Sequence, residues 1–323
     1  MKTALFRTYN ELLLQIYRLA QEKTVATFQE EMLTLIRQQL PFDSSMWGTA
    51  TMQATGIDIH SIYLYNSSVR MLEAYEKVKR QDTAAVRVTQ QDVATIGFNV
   101  DDFAGEDQAE LRQFLHDFGH LNFAITSDIN PSTRFVQWLS LYRANKEARF
   151  PAEEIEFLAA LAPHMMQALA INRLVHLDHL TRDTARACWS VGIADKRGVL
   201  YHADDRFRQL SSAGLSAENQ LSDQVLSRLR RGETTFALNG VVLKCTHEQD
   251  LLFLRTRPVD KVDALTAREF TVAKLIASGL TQQQVAEHLN RSTETIRSQI
   301  KSVFNKLEIN NVTLLAGLLA VRD

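Results

Sequence analysis

Residues 281–307, TQQQVAEHLNRSTETIRSQIKSVFNKL, carry the tightest local constraint in the chain, because they fix two helix starts and the turn between them. Thr281 and Gln284 fit a capping box, in which hydroxyl and amide satisfy two otherwise unpaired backbone N–H groups. A helix is therefore predicted from about 282, with Val285, Ala286 and Leu289 at helical spacing. Asn290 then supplies a residue that tolerates the left-handed conformation of a tight turn, and Ser292 is a good N-cap for the next helix. That second helix repeats Ile296, Ile300, Val303, Phe304 and Leu307 at steps of three and four. Its other stripe is polar, presenting Thr293, Arg297, Ser298, Lys301 and Asn305 on a rod about 22 Å long, a size that fits a DNA major groove. Arg and Lys there have the donors to read guanine.

Thr266 and Glu269 form a second capping box ahead of Val272, Leu275 and Ile276, and Gly279 ends that helix. Downstream, Asn311 caps a last helix carrying Leu314, Leu315, Leu318 and Leu319. The segments LTAREFTVAKLIASGLT, QQVAEHL and STETIRSQIKSVFNKL, followed by a closing helix, resemble the DNA-binding domain of LuxR-type (FixJ- and NarL-type) regulators over about 265–320. The resemblance implies base contacts at Arg297, Ser298 and Lys301, and backbone contacts at Arg291, Thr293, Thr295, Asn305 and Lys306. Four positions depart from the family pattern: Ala267 for a frequent Pro, Arg291 for an aliphatic, Gln299 for a frequent His and Glu308 for a frequent Gly. Asn310 and Val312 stand where the family often carries basic residues, which points to weak intrinsic DNA affinity. The competing reading of Arg297 and Lys301 is a merely solvated helix face.

The whole chain bounds this reading. Its 323 residues suggest two or three domains, and 36 Lys+Arg against 38 Asp+Glu exclude a global cationic field. DNA affinity must then come from a local patch made effective by pairing. The two cysteines, Cys188 and Cys245, lack metal spacing and read as reduced core residues. The early run LFRTYNELLLQIYRLA is broken by Arg7, Glu11 and Arg18, unlike a signal peptide, and no apolar run reaches about 18 residues. A cytoplasmic protein with no membrane partner is expected.

Along the chain, 3–39 reads as two amphipathic helices and 44–65 as a hairpin across residues 54–56. A helix follows at about 67–80, then a stretch without clear periodicity, then a helix in EDQAELRQFLHDF closed by Gly119. LNFAITS and TRFVQWLSLYR form a second hairpin, and a helix of about thirty residues starts after Pro151. This order resembles a GAF-type sensor, placing a GAF-like domain at 1–150. Tyr63 and Tyr65 alternate onto one strand face and Trp138 and Tyr142 onto another; with Trp47 and Phe123 they are read as a pocket for a small neutral or amphipathic ligand, or equally as core. On the long helix, assigned to 151–185, Ile155, Leu158, Ala162, Met165, Leu169, Asn172 and His176 follow the spacing of a two-stranded seam, which favours a parallel homodimer over packing on the same subunit.

Residues 186–258 hold a hairpin around DKRG, a helical stretch at about 203–231 interrupted near Gly214, a hairpin at Asn239–Gly240 and the strand DLLFLRT. They resemble a short PAS domain. RTRPVDKVDA reads as a linker to a final domain at 259–323. His116 and His120 lie four apart but no third metal ligand is placed, and no phosphate loop, HExxH or GxSxG occurs, so no metal, cofactor or enzyme activity is expected. A phosphorylated receiver would open on a buried strand ending in paired acids, and an acyl-homoserine-lactone pocket of this family would carry Asp-Pro where Asp82–Thr83 stands. The expectation is an α+β multidomain, dimeric, DNA-binding transcriptional regulator with a GAF-like sensor, a connecting helix, a short PAS-like unit and an all-α four-helix domain. Its partners would be double-stranded DNA, a second copy, a small ligand and RNA polymerase. The alternative is an interaction adaptor that keeps the fold without DNA binding.

Overall fold

The computed structural model describes residues 2–53, 56–90, 93–130, 134–181, 189–211, 214–217 and 219–320. The chain divides into two compact units, 1–178 and 179–323. In the first, helices α1 (Lys2–Glu22) and α2 (Val25–Arg37) precede the hairpin β1 (Ser44–Gln53) and β2 (Gly56–Tyr65). Then come α3 (Arg70–Val78), α4 (Thr83–Val88), β3 (Val93–Asn99), α5 (Ala109–Asp117), the hairpin β4 (Asn122–Ile129) and β5 (Phe135–Arg143), and α6 (Ala152–Thr181). Every strand pair is antiparallel and the sheet runs β2-β1-β5-β4-β3. The unreadable stretch thus contains α4 and an edge strand. In β3 the apolar Ala94, Ile96 and Phe98 alternate with Thr95, Gly97 and Asn99, but Gly and Asn are turn-prone residues that mask so short a strand.

Helices cover both faces of this sheet. On one, Trp47, Tyr65, Ala124, Leu139 and Leu141 pack under α1, α2 and α6; on the other, Phe98, Phe123, Ile125 and Tyr142 pack under α3, α4 and α5. That division corrects the expected pocket. Trp47, Tyr63 and Tyr65 belong to the first face, where Tyr63 donates to Glu30 and the Tyr65 hydroxyl pairs with Thr34 of α2. Phe123 and Tyr142 belong to the opposite face, Tyr142 stacked on buried His120 with ring centres 3.6 Å apart. Trp138 sits with Ala50, Ile129 and Val136, its indole laid over Gly48, where a Cβ would come within 2.2 Å of the ring. A pleated strand sends neighbours to opposite faces, so six aromatics from four strands do not converge.

The dimer seam is likewise corrected. Leu158, Ala162, Met165, Leu169 and Asn172 are each no more than 3% exposed within the single chain, and Ile155 is half-buried beside them. They face α1, α2 and the sheet, and the Asn172 side-chain amide donates to the carbonyls of Ala20 and Lys23, closing the end of α1. A surface filled in this way cannot also receive a second chain.

The second unit begins with β6 (Ser190–Asp195), β7 (Leu200–Ala203), α7 (Asp205–Ser211), the two-residue strands β8 (Ser216–Ala217) and β9 (Gln220–Leu221), and α8 (Asp223–Arg230). The helical stretch expected to break near Gly214 is two short helices around a small β ladder. Next come β10 (Thr235–Leu238), β11 (Val241–Glu248) and β12 (Leu251–Pro258), and the five-stranded sheet is ordered β10-β11-β12-β6-β7. Counting only its own strands, this is the order of the first sheet: second, first, fifth, fourth, third. Asn239 and Gly240 both take positive φ, 49° and 79°, as a two-residue hairpin turn requires. Cys245 is buried in this core, which pushes its thiol up to about 12; Cys188 lies outside the described residues.

The expected linker is ordered. β12 runs through Pro258, and a capped 3-10 turn occupies Lys261–Ala264 before α9 (Ala267–Ala277), α10 (Gln282–His288), α11 (Thr293–Leu307) and α12 (Val312–Ala320). Arg257, 7% exposed, donates two bonds to Asp263 at 2.6 and 2.7 Å. A buried guanidinium needs such a partner, so the carboxylate of the turn is fixed to the strand.

Candidate nucleic-acid interface

Four capping arrangements shape the helical module. The Thr266 hydroxyl accepts from the Glu269 backbone and the Glu269 carboxylate accepts from the Thr266 backbone; Thr281 and Gln284 repeat the exchange. The Ser292 hydroxyl accepts from the backbone N–H of Thr295 at 3.2 Å. Between α10 and α11, Asn290 has φ 51°, so the turn closes in the left-handed region that Asn tolerates. Asn311 accepts from Leu314 at the start of α12. Ile296, Val303 and Leu307 of α11 are buried with Val272, Ile276, Val285 and Leu315, with Ile300 and Phe304 packed beside them.

Burying that stripe leaves Thr293, Arg297, Ser298, Lys301 and Asn305 exposed on the remainder of α11, with Arg291 and Thr295 exposed at its start. The Arg297 guanidinium lies 3.8 Å from Glu294, both side chains largely in water, an ion pair of little weight that a stronger acceptor displaces. Lys306 differs. Its ammonium donates to buried Glu269 at 2.7 Å. The local charge is slight: between 263 and 319, six Lys and Arg face five Asp and Glu, a net of +1 with His neutral.

The profile of the bacterial regulatory proteins of the luxR family matches residues 263–319. This segment is a LuxR-family regulatory domain. The chain is also similar to a nitrate/nitrite response regulator protein homolog of Haemophilus influenzae, 32% identical over 89 residues, which make up 28% of this chain and 40% of that protein. Among solved structures, the N-acylhomoserine lactone dependent factor CepR2 of Burkholderia cenocepacia is 17% identical over 52% of this chain and 98% of its own, at a TM-score of 0.41. SdiA of Escherichia coli is 16% identical over 98% of this chain and 97% of its own, at a TM-score of 0.38.

Sequence reasoning placed the exposed face of α11 and its caps, because both depend on residues three or four apart. It assigned Glu269 only to a cap. The reach of that carboxylate to Ser302 and Lys306, 33 and 37 residues away, leaves no local signal. The two histidines weighed as metal ligands diverge, His116 exposed and His120 buried against Tyr142, where burial pushes its imidazole down to about 3. Among the described residues no three His, Cys, Asp or Glu side chains gather as a metal site, and no helix is long and apolar enough to cross a membrane.

Proposed function

We propose that the chain is a sequence-specific, double-stranded-DNA-binding transcriptional regulator that works in the cytoplasm as a dimer. The observation that carries this is the exposed polar face of α11, held by a capped turn and backed by the α9–α12 core. Arg297, Ser298 and Lys301 read base edges in the major groove, while Arg291, Thr293, Thr295 and Asn305 meet the phosphate backbone. A net charge of +1 on the module gives one copy little electrostatic hold, so two copies on adjacent half-sites supply the affinity. Pairing uses a surface other than the buried stripe of α6.

The unit 1–178 is the sensor in this reading, GAF-like in its element order, and the shared strand order supports a PAS-like kinship for the middle sheet. A cleft of about 380 Å³ at the open edge of β3, lined by Phe98, Asn99, Asp102, Arg149, Phe150 and Glu156, offers room for a small amphipathic ligand. Such a ligand acts by binding one arrangement of the chain more tightly than another.

The near-neutral module also favours a second reading, an adaptor that keeps the fold without binding DNA. Fluorescence anisotropy separates the two, using the full chain and a duplex enriched by it from a randomised pool. Arg297→Ala and Lys301→Ala should each cost about 1–3 kcal/mol and relax preference at one base position. Unchanged base preference in both variants removes the base-reading assignment. Absence of any salt-dependent DNA binding by the wild type selects the adaptor.

A further inference from the structure

Glu269 is the third residue of α9, yet its carboxylate gathers donors both from its own N-cap and from α11, more than thirty residues on. Its Oε2 accepts from the Thr266 backbone N–H at 2.8 Å, the Thr266 hydroxyl at 2.9 Å and the Lys306 ammonium at 2.7 Å, and its Oε1 accepts from the Ser302 hydroxyl at 2.7 Å. The residue is 8% exposed, so the carboxylate has exchanged most of its water for these four partners. Three of the four are neutral, and Lys306 alone balances the charge. Ser302 and Lys306 stand one turn apart on α11, and Ser298 continues their row toward the helix start. One rigid group therefore holds two successive turns of α11 against α9, which fixes the rotation of the helix about its axis as well as its tilt.

We propose that Glu269 is a positioning residue for base readout, and that Lys306 is its internal anchor and not a phosphate contact. The proposal rests on the DNA-reading function above. Arg297, Ser298 and Lys301 lie within a turn and a half of Ser302 on the same rod, so any rotation of α11 carries all three away from their bases. Recognition geometry has to be held within about 10–20° by groups whose own positions are locked. Lys306 cannot leave for a phosphate without stranding a buried carboxylate, whereas Lys301 has no such tie to Glu269.

The test uses the full chain with two duplexes, one enriched by the wild type from a randomised pool and one of mixed sequence. Lys306→Met should lower the preference for the enriched duplex about tenfold while the slope of log affinity against log salt stays at the wild-type value. Lys306→Arg, which can still reach Glu269, should restore the preference. Glu269→Gln is the decisive variant. Removing a negative charge should by electrostatics alone tighten binding to mixed sequence, but loss of the anchor should weaken discrimination. Should Lys306→Met fail to fold by circular dichroism, Ser302→Ala, which deletes a single donor, carries the same comparison. A Lys306→Met chain that keeps its preference and loses about one unit of salt slope makes Lys306 a phosphate contact and overturns the proposal. So does a Glu269→Gln chain that discriminates as well as wild type. A wild-type chain that binds neither duplex removes the DNA-reading function and this proposal together.

Discussion

Helices α6 and α11 bury apolar stripes of the same three-and-four spacing, but their partners lie at very different distances along the chain. The stripe of α11, Ile296, Val303 and Leu307, packs on α9 and α10, which precede it immediately and are joined to it by turns whose caps are all in the sequence. The stripe of α6, Leu158, Met165 and Leu169, packs on α1, α2 and a sheet, and Asn172 reaches a carbonyl 152 residues upstream. Periodicity reveals that a face is buried. Only local punctuation tells what buries it, and α6 has none within reach.

Breaking the α6 stripe should have the largest effect. Met165→Ala and Leu169→Ala should each destabilise the first unit by about 2–5 kcal/mol in urea unfolding, because cavities open under α1 and α2. If either variant instead dissociates a dimer in sedimentation and unfolds like wild type, the stripe is an interface and the contrast with α11 disappears. On α11, Ile296→Val removes one methyl from a fully buried side chain and should cost about 0.5–1.5 kcal/mol. Ser292→Ala tests the punctuation itself: loss of the cap should cost about 1 kcal/mol and speed hydrogen exchange in the first turn of α11.

Acid adds a directional check. The ammonium of Lys306 and the hydroxyl of Ser302 hold the Glu269 carboxyl down from 4.5 to about 2. A depressed carboxyl stabilises the fold fully above its unfolded value and loses that contribution as pH falls toward its folded one. The stability difference between wild type and Glu269→Gln should therefore be constant above about pH 4.5 and shrink between 4.5 and 2; a difference that is flat across that window denies the anchor. The smallest effect belongs to Glu308, which ends α11 with φ 55° where glycine is at ease, its carboxylate paired with exposed Lys261. Glu308→Gly should raise the melting temperature slightly, since relief of the left-handed backbone outweighs a solvent-screened pair.

Much of the fold was legible because its signals are short. Asn239–Gly240, Gly119, the two capping boxes and the alternation of β1, β2, β4 and β5 each act within a few residues. The edge strand β3 was not, since Gly97 and Asn99, residue types that mark turns, interleave with the apolar Ala94, Ile96 and Phe98; here they serve the packing of Ile155 and the loop at Lys146. The site divides in the same way. Arg297, Ser298 and Lys301 could be placed on an exposed face from spacing alone, whereas the diversion of Lys306 to Glu269 depends on how α9 and α11 cross. For the aromatics, residue type and alternation gave the faces, but the distribution of Trp47, Phe123 and Trp138 over two sides of one sheet depends on strand order, which no window of the sequence contains.

The bond between Arg257 and Asp263 has a practical consequence for chimeras. A DNA-reading module is usually transplanted by cutting where the chain looks like a tether, and RTRPVDKVDA invites a cut at Pro258 or Val259. Such a junction would leave a buried guanidinium in the donor without its carboxylate and send the carboxylate to the recipient without its guanidinium. A transplant that keeps the pair must begin before Arg257, and one that also keeps the Trp189 ring, 5.0 Å from the Arg257 guanidinium, must begin upstream of Trp189 and carry the whole middle sheet. The smallest portable piece of this protein is then the second unit, not the helices α9–α12 alone.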